Sequence, residues 1–324
     1  MNNNSASKTY RSNGKLLLSG EYVVLDGAKA LAVPTTFGQS LTIEPEASNT
    51  IVWKSYNELG EIWFDDVFSF ADASTALNIK SVKTNEILKP IQSDSSISER
   101  LVQILKAAQG LNPEFLSSNQ GYTISTNQDF NRLWGLGTSS TLINNIAQWA
   151  QVDPYQLLKQ TFGGSGYDIA CARHNTPITY QLLDAESQPL VNPAAFHPNF
   201  KDQLYFVYLN QKQNSRAGIV AYKKNATLSP EIIHEIGAIT EAMISCESLL
   251  EFEKLIMQHE DLISKLIQQD PIKSHLFSDY TGAIKSLGAW GGDFVLATSE
   301  INPIPYFQSK GFHTVIPYKQ MVLN

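Results

Sequence analysis

A loop of small residues runs into a helical pattern in the stretch Trp134 to Trp149, WGLGTSSTLINNIAQW. Gly135 and Gly137 permit positive φ and close approach of the backbone to a ligand. Thr138, Ser139 and Ser140 supply three hydroxyls in succession. Leu142, Ile143, Ile146, Ala147 and Ala150 then share one helix face. The first turn of a helix has unpaired N–H groups and the positive end of the helix dipole. The chemistry suited to this pattern is anion binding, of phosphate above all. The hydroxyls can cap the helix, bond phosphate oxygens or ligate Mg²⁺. The plain alternative is a glycine turn with a hydroxyl N-cap and no ligand. No Gly-Lys-Ser/Thr closes the loop, so it is not a Walker loop, and no third glycine completes a dinucleotide fingerprint. A second polar segment, Lys212 to Arg216, follows a strand pattern. Its Lys212, Ser215 and Arg216 suit an anionic acceptor such as a phosphomonoester, or else form a plain surface turn.

The elements that must position these residues follow from periodicity. Lys15–Leu25 reads as two apolar strands broken at Ser19-Gly20-Glu21. Ala30–Pro34 and Gln39–Glu44 continue as strands, and Ile51–Tyr56 pairs with Glu61–Phe68 around Asn57–Gly60. Ser96–Glu99 is a capping box, opening a helix that buries Leu101, Ile104, Leu105 and Ala108. Gly121–Thr126 alternates as a strand. Asp153-Pro154 starts another helix, and Gly163–Gly166 breaks the chain before YDIACA. Ile178–Leu183 is a strand. A second region begins near Pro193: strand 204–209, helices from Ser229 to Cys246 and from Glu247 to Gln269, a helix over Leu276–Leu287, strand 294–297, a short helix 304–310 and a last strand 312–317. Strands and helices of this kind predict an α+β protein.

The 324 residues accommodate two modest domains. A net charge of −7 argues against a broad nucleic-acid or anionic-membrane surface. It leaves room for a local basic pocket. Two cysteines, Cys171 and Cys246, make no disulfide framework and predict reduced thiols in the cytoplasm. The opening MNNNSASKTYRSNG lacks the apolar core of a signal peptide. No stretch approaches the roughly 18 apolar residues of a membrane span. His174 and the other histidines show no metal-ligand spacing. No internal repeat is present.

Three stretches, GKLLLSGEYVVLDG (Gly14–Gly27), GLGTSS (Gly135–Ser140) and GAIKSLGAWGGDFVLA (Gly282–Ala297), resemble the three motifs of the GHMP small-molecule kinases. That family includes galactokinase, homoserine kinase, mevalonate kinase and phosphomevalonate kinase. A fourth, SGYDIA (Ser165–Ala170), resembles a segment of the mevalonate and phosphomevalonate branch, and the chain looks like the subgroup named for its Gly-Tyr-Asp-Ile-Ala segment. Glu21-Tyr22 and Gly291-Gly292-Asp293 lean toward the phosphomevalonate kinases. The resemblance implies a two-domain α+β fold. Residues 1–190 would be like the second domain of ribosomal protein S5, and residues 191–324 ferredoxin-like. It implies ATP on Gly135, Leu136, Gly137, Thr138, Ser139 and Ser140, with Ser139 also touching Mg²⁺. Asp168 would be the catalytic base, and Lys15 would hold it ionised and neutralise the transferring group. Glu21, Tyr22, Ser165, Gly166, Gly288, Gly291 and Gly292 would line the substrate, with Glu21 equally suited to ordering its own turn. Arg11 and Arg132 are further phosphate partners.

The expected activity is ATP-dependent phosphorylation of a small anionic acceptor, 5-phosphomevalonate first, by a monomer or homodimer without nucleic-acid or membrane partners. Mevalonate kinase and a non-catalytic nucleotide or metabolite sensor are the alternatives. Four features depart from the family pattern. Trp290 stands where the third motif has glycine, so its ring must point away from the ligand or reshape the pocket. Ser140-Thr141 replaces two alanines. A proline ahead of the second motif is missing. No acid lies between Asp153 and Asp168 to serve as a Mg²⁺ ligand.

Overall fold

The computed structural model describes residues 6–70, 80–81, 95–118, 120–183, 188–212, 215–225 and 227–323. In chain order the elements are β1 (Lys8–Leu17), β2 (Ala30–Glu46), β3 (Thr50–Tyr56), β4 (Ile62–Ser69), β5 (Lys80–Ser81), α1 (Ser95–Leu111), β6 (Gly121–Gln128), α2 (Thr138–Ala150), α3 (Pro154–Thr161), α4 (Tyr167–Arg173), β7 (Ile178–Gln181), β8 (Leu190–Pro193), β9 (Leu204–Tyr208), α5 (Ser215–Asn225), α6 (Pro230–Ser245), α7 (Leu249–Ile267), α8 (Ile272–Leu276), β10 (Ile284–Ser286), β11 (Phe294–Thr298), α9 (Ile304–Ser309), β12 (Val315–Pro317) and α10 (Tyr318–Met321), with 3-10 turns at Val23–Asp26 and Lys201–Gln203. They form two compact units. The first is Met1–Asn13, Phe37–Arg132 and Gly137–Arg173; the second is Gly14–Thr36, Leu133–Leu136 and His174–Asn324.

In the first unit the strand order is β5-β4-β3-β6-β2. β3 alternates half-buried and buried residues along its length, as a strand with one core face does. It turns into β4 where the Asn57 carboxamide accepts the N–H groups of Leu59 and Glu61. Gly60 takes a φ of 77° there. β6 runs parallel to β3, with Trp53 opposite Ile124, and antiparallel to β2, with Leu41 opposite Thr126. The core joins Leu41, Trp53, Phe64 and Ile124 to Leu101, Ile104, Leu105 and Ala108 of α1 and to Ile143 and Ile146 of α2. Asp153 caps α3 by accepting the Tyr155 N–H at 2.7 Å, with Pro154 at the first position.

The second unit carries an antiparallel sheet ordered β10-β11-β9-β12. β11 is buried at all five positions, so both faces of the sheet are covered there. Val207, Val295 and Ala297 pack with Phe277, Tyr280 and Phe307. A separate core gathers Tyr22, Val23, Ala28, Tyr222, Ile236, Ile263 and Trp290. β7 and β8 pair with each other, and β7 pairs with the first residues of β2.

Three expectations fail locally. The expected second strand is replaced by the 3-10 turn Val23–Asp26, because Gly20 and Tyr22 take φ values of 85° and 61° and the Val24 N–H returns to the Gly20 carbonyl. Ala30–Pro34 and Gln39–Glu44 merge into one 17-residue strand. Leu276–Leu287 is not a helix. α8 ends at Leu276, and Ala283–Leu287 lies at β10, pinned by Ile284 opposite Ala297. The apolar spacing of that stretch suits either element, and pairing with β11 decides it.

Candidate active site

In the first unit, Gly137 is the N-cap of α2, with φ 97° and no side chain to cap with. The carbonyl of Gly137 accepts from the Ser140 and Thr141 hydroxyls at 2.9 and 3.0 Å. Thr138 Oγ1 accepts from the Gln128 carboxamide. Ser140 and Thr138 are thus engaged in the helix start, whereas Ser139 is exposed. α2 is held by a buried polar network. Ser12 Oγ donates to Asn145 Oδ1 at 2.7 Å, Asn144 donates to Ser12 Oγ, and Asn145 Nδ2 donates to the Gln39 carbonyl at 2.9 Å. α4 packs against α2 and carries Asp168, half-buried, in its first turn. Gly163, Gly164 and Gly166 all have positive φ, and the Gly166 carbonyl starts the helix by accepting from Ile169 and Ala170. Ser165 is half-buried beside them. Arg11 is paired with Asp129 at 2.6 Å and Arg132 stacks 4.4 Å over the Trp63 ring, so neither is a bare cation waiting for phosphate.

In the second unit, the other half of the glycine loop meets the first and third motifs. The Lys15 N–H donates to the Leu136 carbonyl at 2.9 Å. A Cβ on Gly135 would lie 2.3 Å from Asp293 Oδ2, so the carboxylate rests against the bare face of the glycine. Asp293 is itself in the left-handed region, φ 53°, clamped by its N–H to the Gln211 carbonyl and its carbonyl to the Leu209 N–H, both 2.8 Å. Trp134 packs edge-on against Phe294 at 5.6 Å and near Tyr208 at 6.4 Å. Burial first, and then the Asp293 charge, push the Tyr208 phenol up.

Glu21 is buried, and its Oε1 accepts from Lys285 Nζ at 2.7 Å. Of the two roles the sequence leaves open for Glu21, burial favours ordering its own turn. Tyr22 is buried too, stacked 5.4 Å from Tyr222, and its hydroxyl accepts the Trp290 N–H. Trp290 is 5% exposed and sits in the apolar core with Ile236 and Ile263. Gly288 and Gly291 have φ values of 68° and 86°, and Gly292 is buried. A Cβ on Gly288 would meet open space. The Gln211 side chain bonds the Gly291 carbonyl. Lys212 is exposed, and α5 begins at Ser215; the side chains of Ser215 and Arg216 lie outside the described residues.

Gln211, Lys285, His259 and Glu260 are additions to the sequence reading. Lys285 had a visible signal, a cation inside the apolar run Ala283–Leu287. The others had none, because their partners are remote in sequence. Among the described residues no group of three or more His, Cys, Asp or Glu side chains could hold a metal. No helix among them is long and apolar enough to cross a membrane.

The fold is that of the GHMP kinases. Methanococcus jannaschii mevalonate kinase matches with a TM-score of 0.66 at 15% identity, over 96% of each chain. Streptococcus pneumoniae phosphomevalonate kinase, in complex with phosphomevalonate and AMPPNP, matches at 0.64 and 15%, over 94% of this chain and 95% of that one. Lactococcus lactis galactokinase complexed with galactose matches at 0.61 and 10%, over 95% and 89%. At these identities the likeness is one of fold. No family model and no curated protein matches the sequence.

Proposed function

We propose that this chain is a cytoplasmic small-molecule kinase that transfers the γ-phosphoryl of ATP to an anionic acceptor, 5-phosphomevalonate first. The observation that carries the reading is the meeting of three distant stretches at Gly135-Leu136: Lys15 from the first, the loop itself, and Asp293 from the third. Phosphoryl transfer needs positioning and charge neutralisation more than covalent chemistry. In this reading the N–H groups at the start of α2 take the phosphates. The exposed Ser139 hydroxyl is a hard oxygen of the type Mg²⁺ accepts, with phosphate and water completing its shell. The bound metal would neutralise phosphate charge. Asp168 orients the acceptor hydroxyl and takes its proton, and Lys15 offsets the developing negative charge. Lys212, Ser215 and Arg216 take the acceptor's own phosphate. As a functional division, residues 1–190 hold nucleotide and base, and residues 191–324 add acceptor contacts.

Mevalonate is the second acceptor in line, on the fold likeness to a mevalonate kinase. The sensor alternative loses one support, since the Trp290 ring lies in the core. The test is ADP release with Mg-ATP against 5-phosphomevalonate, mevalonate, homoserine and galactose, with Asp168→Asn alongside. Turnover on 5-phosphomevalonate that falls by about 10²–10⁴ in the variant supports acceptor and base. Turnover on another acceptor sinks the substrate assignment alone. ATP binding with no turnover on any acceptor sinks the kinase reading.

A further inference from the structure

Four ionisable side chains are buried together in the second unit. Glu21 lies on the first-motif turn, Lys285 on β10, and His259 and Glu260 on α7. Their side chains are 0–5% exposed. Lys285 Nζ donates to Glu21 Oε1 at 2.7 Å and to the Ser286 carbonyl at 3.0 Å, and lies 3.6 Å from Glu260 Oε1. Ser286 Oγ donates to Glu260 Oε2 at 3.1 Å. The Gly20 N–H donates to His259 Nε2 at 2.9 Å. That nitrogen therefore carries no proton and the imidazole is neutral. Glu21 Oε2 sits 3.3 Å from the same nitrogen.

The cluster thus sets two carboxyls against one ammonium in a dry interior. A surplus charge there is strongly disfavoured. A single proton held on one carboxyl removes it. Burial pushes the Glu21 carboxyl up against the opposing pull of Lys285. Burial, opposed by Lys285 and aided by the Glu21 charge, pushes Glu260 up to about 7. Burial first, then Lys285, holds His259 well below its ordinary value, so it supplies no second cation. The groups acting on Glu260 among the described residues are Lys285 and Ser286 from β10 and Glu21 from the turn; His259, its neighbour on α7, meets Glu21 and the Gly20 N–H instead.

Position gives the cluster its meaning. Glu21 belongs to the turn that follows β1, and β10 runs directly into Gly288–Gly292. We propose that Lys285 is a positioning residue, and that with Glu21, Glu260 and His259 it forms a proton-holding lock setting the first-motif turn against the strand that leads into the third-motif loop. Its effect on turnover rests on the kinase reading; the lock itself does not.

The test uses the full chain with Lys285→Met, Lys285→Arg and Glu260→Gln. Hydrogen exchange is read over residues 18–25 and 284–293 and over β3 and β6 as the internal control. Lys285→Met raises exchange in the two motif segments at least about tenfold more than in the control strands, as selective local opening does. With the acceptor that the wild type uses, its kcat falls about a hundredfold, the size of a 1 Å misplacement, and Lys285→Arg recovers part of it. A raised folded-state carboxyl contributes stability that is present at acid pH and lost as pH rises through about 7. Wild-type melting temperature therefore declines from pH 5 to 8 through this group, and Glu260→Gln flattens the decline. An equal rise of exchange everywhere, an unchanged kcat in folded Lys285→Met, or an unchanged pH slope in Glu260→Gln overturns the proposal. If Lys285→Met does not fold, Lys285→Arg and Glu260→Gln decide. If the wild type phosphorylates nothing, the kinase reading fails, and exchange and pH slope still judge the lock.

Discussion

At the scale of single residues, Gly135 and Gly288 form a natural pair of controls. Both take positive φ, 66° and 68°. A methyl on Gly288 meets open space, whereas one on Gly135 lands 2.3 Å from Asp293 Oδ2. Gly288→Ala should cost only the left-handed penalty, about 1–2 kcal/mol. Gly135→Ala should cost that and a displaced carboxylate, about 3 kcal/mol or more in all, and should weaken ATP binding. Urea melts and calorimetric titration check both, and equal effects of the two substitutions would remove the steric account. The glycine itself was legible in the sequence, because its place just ahead of a helical pattern marks a tight glycine turn. The reason it must be glycine was not, since the obstructing carboxylate comes from a residue 158 positions later (293 − 135).

At the scale of elements, α2 shows where periodicity stops being informative. The sequence assigns one apolar face through Leu142, Ile143, Ile146, Ala147 and Ala150; the last four are buried and Leu142 is half-buried. Asn144, Asn145 and Thr141 are buried as well, on faces the pattern leaves to solvent. Their partners, Ser12 and Gln39, come from β1 and β2, over a hundred residues away. Asn145→Ala strips the Ser12 hydroxyl and the Gln39 carbonyl of a partner at once. Two buried groups left unsatisfied cost about 2–6 kcal/mol together. Chemical denaturation measures this, and a loss under 1 kcal/mol would mean that water replaces the carboxamide. The strands and the β3–β4 hairpin were easier to read, because turn chemistry at Asn57–Gly60 is local.

At the scale of the whole molecule, the chain visits each unit three times. The second unit draws on Gly14–Thr36, which supplies Glu21, Tyr22, Val23 and Ala28. A fragment of residues 191–324 would leave Lys285 without Glu21 and the apolar core without Tyr22 and Val23. Breaking a buried ion pair alone costs about 3–5 kcal/mol, a large part of a domain's net stability. Such a fragment should fail to give a cooperative melt or dispersed amide resonances; a folded fragment would show that the contribution of Gly14–Thr36 is dispensable. The α+β class was legible from element order, and the family fold from four short motifs. The interleaving was not, because nothing local marks where a strand such as β1 leaves one unit for the other.

The contact between Gly135 and Asp293 also bears on how this protein can change through descent. Position 135 is not free to drift alone, because a side chain there collides with the carboxylate, and Asp293 occupies a left-handed backbone that few residues besides glycine adopt readily. A lineage could acquire alanine at 135 only after, or together with, a residue lacking that carboxylate at 293, glycine being the easiest on backbone grounds. The two sites are thus predicted to be epistatic. Asp293→Gly should make Gly135→Ala tolerable where alone it is harmful, so that the order in which the two mutations arise decides whether the path is open.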